Sequence, residues 1–170
     1  IALVAKADIY IINRENVEWL VKNCPFDFDM VVIDELSSFK SGATKRFKSL
    51  LKVRPTVKRI VGLTGTPSSN GLMDLWAEYR LLDMGKRLGR YIGQYRRDFF
   101  TPDKRNQQII FSYKPVAGAE ESIYKLISDI TISMKSVDYL KMPECVMNKV
   151  EVFMNEEEQA KYETMRKEMV

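Results

Sequence analysis

The chain has 170 residues, 45% of them hydrophobic and 29% charged, enough apolar mass for one compact domain and not the composition of a disordered chain. Its formal charge of +4 is a mild basic excess, compatible with a phosphate-rich partner and equally with an ordinary solvated surface. Histidine is absent, which excludes Ser-His-Asp and Cys-His catalysis and the common His-containing metal sites within these residues; no apolar stretch of about 18 residues suggests a membrane segment.

Residues 7–13 (Ala-Asp-Ile-Tyr-Ile-Ile-Asn) form an apolar run that reads as a buried strand, and Val17, Leu20 and Val21 then fit one helix face. Residues 29–34 are a second apolar run, rich in β-branched residues, that closes on Asp34 and Glu35. Residues 43–53 read as a helix with Phe47, Leu50 and Leu51 inward and Lys45, Arg46, Lys48 and Lys52 outward. Residues 59–64 are a third strand, after which Asn70 is a candidate cap for a helix with the face Leu72, Leu75, Trp76, Tyr79 and Leu82.

Beyond Asp83 the pattern changes. Leu88, Tyr91, Ile92, Tyr95 and Phe99 lie at helical spacing among Arg87, Arg90, Arg96 and Arg97, and such a stripe reads as core. A polar loop over 101–108 leads to Ile109-Ile110-Phe111, and a further helix presents Ile123, Leu126, Ile127 and Ile130. Residues 146–154 alternate partly like a strand, and a final helix over 156–169 opens on Glu156, Glu157 and Glu158 at its positive end. There is no internal repeat. Cys24 and Cys145 lack the paired spacing of a zinc site or disulfide framework and read as reduced thiols of a cytosolic protein; no signal-peptide pattern is visible. The chain opens at Ile1 without an initiator Met and stops at Val170 inside a running helix, so a longer protein is expected around it.

Alternating strands and helices predict an α/β fold, a parallel sheet covered on both faces. Ligands of such sheets gather at the carboxyl ends of the strands. Asn13, the Asp34-Glu35 pair and Thr64-Gly65-Thr66 all fall there.

An apolar strand ending in Asp-Glu is the layout of a Walker B site. There the first carboxylate holds Mg²⁺ through its water shell and the second polarises the water that attacks the γ-phosphate of ATP. Apolar strands ending in acids are common in proteins of every kind, so the pair alone leaves the matter open. Leu63-Thr64-Gly65-Thr66-Pro67 follows the next strand. Its small and hydroxyl side chains suit close approach to those carboxylates, although a plain strand-to-helix turn explains it too.

Taken together, Val31-Val32-Ile33-Asp34-Glu35, then Lys40, then 62–76 (Gly-Leu-Thr-Gly-Thr-Pro-Ser-Ser-Asn-Gly-Leu-Met-Asp-Leu-Trp) resemble motifs II and III of Swi/Snf-type helicase-like ATPases of superfamily 2. Ile132-Ser133-Met134-Lys135, Asp138-Tyr139-Leu140 and Met142-Pro143 resemble that family's inter-lobe connector, and 150–162 the strand and helix that continue it. The resemblance implies a RecA-like three-layer parallel sheet forming part of lobe one over 1–83, a helical extension and connector over 84–145, and the start of a second lobe over 146–170. It implies ATP and Mg²⁺ at Asp34 and Glu35, with Thr64, Gly65 and Thr66 linking that site to nucleic acid. It also implies double-stranded DNA as partner, gripped by its phosphates, with Asn13 and Arg14 at the strand end where the family contacts DNA; the basic helix face of Lys45, Arg46, Lys48 and Lys52 is a further candidate phosphate contact. A helix start with Glu15 in its first turn explains Asn13 and Arg14 as well, and a solvated face explains Lys45 and Arg46.

Two departures stand out. The family has Asp-Glu-Ala-His or Asp-Glu-Gly-His where Leu36-Ser37 follow Glu35 here, and an Arg pair where Ser133-Met134 stand. Both are similar to compact phage and bacterial versions, which points to the cytoplasm of a bacterial or phage-infected cell. No Gly-x-x-x-x-Gly-Lys-[Ser/Thr] loop occurs in the 170 residues. The chain by itself is therefore expected to hydrolyse no ATP, the rest of a longer chain supplying that loop and the second lobe. A restriction-type translocase or RNA-helicase lobe, and a non-catalytic RecA-like scaffold, are the alternatives.

Overall fold

The structure is a computed structural model that describes residues 6–65, 68, 71–106, 109–134 and 146–168. It divides into two units, Ile1–Ile132 and Ser133–Val170.

The first unit begins with a 3-10 turn at Arg14–Asn16 leading into helix α1, Val17–Asn23. Strand β1 (Met30–Ile33), helix α2 (Lys45–Val53) and strand β2 (Arg59–Gly62) follow as one crossover. The strands pair in parallel with Met30 opposite Arg59 and Ile33 opposite Gly62. Thr44 caps α2, its Oγ1 accepting the Phe47 N–H at 3.3 Å, a bond that contributes about 1 kcal/mol. Phe47 and Leu50 point inward from α2, as the periodicity predicts.

Helix α3, Leu75–Asp83, departs from its expected single apolar face. It stands between two cores. Ala77 and Leu81 join Ile33, Leu36, Phe39, Phe47 and Leu50 in the first; Leu75 and Tyr79 join Leu88, Tyr95, Phe100, Ile123 and Ile127 in the second. Trp76 and Leu82 pack against both. Each fully buried Leu contributes roughly 1.5–3 kcal/mol, so this helix is the structural spine of the unit.

Its carboxyl end is closed by Arg54, whose guanidinium donates to the carbonyls of Leu81 at 2.7 Å and Leu82 at 2.9 Å. Asp83 then accepts the backbone N–H groups of Gly85, Lys86 and Arg87 at 2.7, 3.0 and 3.0 Å, turning the chain towards helix α4, Ile92–Phe99. Tyr95, wholly buried, donates its hydroxyl to the Leu72 carbonyl at 2.7 Å, which confirms that the aromatic stripe is core, except at exposed Tyr91. After α4 the polar loop resolves into an antiparallel hairpin, β3 (Phe100–Pro102) and β4 (Tyr113–Pro115), which the sequence pattern did not predict. Helix α5, Ala119–Ile127, buries Ile123 and Ile127, while Leu126 and Ile130 stay exposed. The second unit carries helix α6, Glu156–Glu168, with its acids in the first turn as predicted.

Three expectations are overturned. Residues 7–13 are not a strand, and Ile11 is 92% exposed; an apolar run becomes a strand only where another backbone supplies its ladder, and none does so among the described residues. Residues 146–154 are likewise exposed and without strand, for the same reason. Among the described residues the parallel pair is covered on one face only: Ile33 is buried, whereas Met30 and Val32, on the other side of the pleat, are 48% and 53% exposed. Asn70 and the connector residues 135–145 lie outside the described residues.

One close approach holds the end of the sheet. Leu36 is buried directly over Gly62, where an added Cβ would lie 2.5 Å from its Cδ2. Gly62→Ala is therefore expected to cost about 1–3 kcal/mol in urea unfolding, part of it recovered by adding Leu36→Ala. A Gly62→Ala chain as stable as the parent would show that Leu36 is not seated there.

Candidate functional site

The site is built where β1 and β2 run out. Their ladder continues past the strands: the Leu63 N–H donates to the Ile33 carbonyl at 2.9 Å, and the Leu36 N–H donates to the Leu63 carbonyl at 2.8 Å. Between those bonds the chain turns sharply at Glu35, whose φ of 55° and ψ of 65° are left-handed. For a side chain with a Cβ this conformation costs about 1–2 kcal/mol. The Leu36 bond and the Ser38 N–H, which donates to the Glu35 carbonyl at 3.0 Å, hold it in place.

The turn lifts both carboxylates into solvent. Asp34 Oδ1 accepts the Glu35 N–H at 3.1 Å. Glu35 Oε1 accepts from two hydroxyls: Ser37 Oγ, from the 3-10 turn Leu36–Phe39, and Thr64 Oγ1 at 3.1 Å, from the segment after β2. The Ser37 bond first, then the Thr64 bond and the nearby Arg14 charge, hold the Glu35 carboxyl below its ordinary range against some desolvation. Glu35 is thus ionised at neutral pH, with one oxygen fixed by two donors.

Asp34, Glu35, Thr64 and Arg14 therefore come together at one place. Arg14 Nε also pairs with Glu15 Oε1 at 3.1 Å, and Glu15 reaches Arg46 Nη1 at 3.8 Å. Arg46, half-buried, lies over the Phe39 ring at 5.5 Å. Lys45 is exposed at the start of α2, where its charge acts on Glu18. Asn13 is exposed and its side chain caps nothing, so the helix-start explanation lacks its capping bond. Gly65 is exposed, and a Cβ there would meet nothing within 4 Å, so no packing requires its small size. Thr66 lies outside the described residues.

Three participants went unassigned in the sequence. Ser37 stood out only as a departure from a motif, and only the left-handed turn brings its hydroxyl onto Glu35. Lys40 approaches Asp74 at 3.9 Å, tying the turn after β1 to the 3-10 turn Leu72–Asp74 before α3. Glu78, on α3, is wholly buried, and neither carboxyl oxygen has a hydrogen-bond partner among the described residues. Burial first, then repulsion from Asp74 and Glu35, outweigh the attraction of Lys40 and push it up to about 8.

A divalent cation fits this turn in one way only. Among the described residues no group of three or more acidic, Cys or His side chains converges on a point, so a protein cage is not available. Two exposed carboxylates suit Mg²⁺, which keeps most of its waters and takes one or two carboxylates beside substrate phosphates. For the nucleotide itself the 170 residues hold no phosphate-cradling Gly-rich loop.

Fold and site together define a mixed α/β protein with an exposed acid pair at the carboxyl end of a parallel strand, its Glu35 bonded to Thr64 from the segment after the neighbouring strand. The chain matches the SNF2-related domain over residues 6–170 and belongs to that family. Membership implies a RecA-like lobe and places the chain in a family of ATPases. It is 32% identical over 170 residues to protein p41 of Acyrthosiphon pisum secondary endosymbiont phage 1, covering 96% of this chain and 37% of that protein. It is 38% identical over 64 residues to the DNA excision repair protein ERCC-6-like of Danio rerio, covering 38% of this chain and 4% of that protein. The chain thus spans well under half the length of either relative. No solved structure matches it significantly.

Because Glu78 stays protonated in the fold to about pH 8 and ionises near its ordinary 4.5 when unfolded, the unfolded chain binds fewer protons between those values. The contribution of this group to stability is therefore fully present below pH 4.5 and is lost as pH rises towards 8. Glu78→Gln, which keeps shape without a charge, is expected to stabilise the chain in urea at pH 8 and to change little at pH 5. An equal effect at both pH values would show that Glu78 is not held neutral.

Proposed function

We propose that the chain is the latter part of the first RecA-like lobe of an ATP-driven motor that moves on double-stranded DNA. The observation that carries this reading is Glu35: ionised, fixed in a left-handed turn at a strand end, and bonded through Thr64 to the segment leaving the next strand. Membership of the SNF2-related domain family supports it. Residues 1–83 belong to lobe one, 84–145 to the extension and connector, and 146–170 open the second lobe.

In this reading Asp34 holds the hydrated Mg²⁺, with its carboxylate anchored on the Glu35 N–H. The ion, when bound, neutralises charge on the transferring phosphate. Glu35 orients the attacking water through its solvent-facing oxygen and accepts a proton, since its other oxygen is engaged by Ser37 and Thr64. Ser37 supports Glu35 from the place where the family has His, which favours the catalytic reading over a scaffold. Thr64, Gly65 and Thr66 join hydrolysis to DNA contact, and Asn13, Arg14, Lys45 and Arg46 hold phosphates. Arg14 is the hinge between the two tasks, acting on Glu35 and joined through Glu15 to Arg46.

A longer chain carrying the phosphate loop and the second lobe completes the enzyme. Its ATP turnover is expected to rise with double-stranded DNA and to fall about 10²-fold or more in Glu35→Gln. The 170 residues alone are expected to turn over no faster than an Asp34→Ala control. No turnover by a protein with an intact phosphate loop, or full turnover in Glu35→Gln, would overturn the proposal.

A further inference from the structure

The basic excess is not spread over the molecule. Residues 84–118 hold eight Lys and Arg against two Asp, leaving nineteen basic and twenty-one acidic residues elsewhere. The whole positive balance therefore sits on the stretch that carries α4 and the β3–β4 hairpin, apart from the acidic turn.

Backbone bonds tie the two strands of the hairpin together beyond their paired residues. At its base Phe100 is buried in the second core, and Tyr113 packs on that core with the Arg96 guanidinium 4.8 Å over its ring. Further out the strands stay bonded: the Asp103 N–H donates to the Ser112 carbonyl at 2.9 Å, the Phe111 N–H to the Lys104 carbonyl at 2.7 Å, and Arg105 bridges Ile110. Past the core the apolar side chains are exposed, Phe111 at 66% and Ile110 at 40%. Beside them Lys104, Arg105 and Lys114 make no ion pair among the described residues, while Asp103 accepts the Ser112 hydroxyl at 2.9 Å.

A hairpin with cations flanking an exposed aromatic and an aliphatic side chain meets two needs of one ligand. Cations answer phosphates, and an aromatic face answers an unstacked base. An apolar wedge between base steps is a recurrent way to open or bend a duplex. We propose that the β3–β4 hairpin is a nucleic-acid contact element, with Lys104, Arg105 and Lys114 on the phosphates and Ile110 and Phe111 against base faces. It rests on the reading of the chain as part of a DNA motor and adds a second contact, remote in sequence from Arg14 and Arg46. A protein partner is the other occupant of an exposed apolar tip; the concentration of positive charge around this one favours nucleic acid.

The test is fluorescence anisotropy of the full-length protein with labelled single-stranded and duplex DNA across a salt series. Lys104→Ala/Arg105→Ala is expected to weaken binding about tenfold or more and to lower the salt slope by about 1–2. Phe111→Ala is expected to weaken single-strand binding about fivefold with the salt slope unchanged. Hairpin variants that bind like the parent, beside an Arg14→Ala/Arg46→Ala variant that has lost binding, would overturn the hairpin proposal and leave the motor reading standing. No binding by the parent protein at low salt would overturn both. Phe111→Ala that abolishes self-association with DNA affinity intact would assign the tip to protein contact and overturn the proposal as well.

Discussion

Two backbone hydrogen bonds beyond the end of the parallel sheet, Leu63 to Ile33 and Leu36 to Leu63, are the constraint on which the rest of the site depends. They carry β2 one residue past the point where β1 must turn, which sets Thr64 beside Glu35. They also press Leu36 onto Gly62, so that the acidic turn stands on the first core. The unfavourable backbone of Glu35 persists because its neighbours are over-determined by these bonds and by that packing. Strained residues fixed in this way gather at functional sites, and Glu35 fits that pattern.

Behind the turn stands α3, the one helix shared by both cores. It connects the acidic turn to the basic extension physically: Lys40 and Asp74 meet at its amino end, Arg54 closes its carboxyl end, and Asp83 starts the turn into α4. Glu78 lies on this helix, a neutral carboxyl buried where a charge would be costly.

Much of this was legible in the residues. The β1 and β2 runs were readable because β-branched residues ended in acids or hydroxyls at the place where α/β sheets bind ligands, and α2 because its lysines and arginines opposed Phe47 and Leu50. Residues 7–13 and 146–154 misled, since composition cannot say whether a ladder partner is present. The hairpin escaped because its strands are three residues each, with Pro102 and Pro115 inside them and a polar link between. Ser37 and Glu78 could not be found by spacing: one depends on a left-handed turn, the other on a helix buried on all sides rather than on one face.

Two hydroxyls from separate segments hold Glu35 ionised and aimed. Carboxyl-carbon NMR titration of Glu35 in the parent chain, in Ser37→Ala and in Thr64→Val tests it most directly. A midpoint below the ordinary 4.5 is expected in the parent, rising in both variants and more in Ser37→Ala, whose bond contributes most. An ordinary midpoint that neither substitution moves would contradict it.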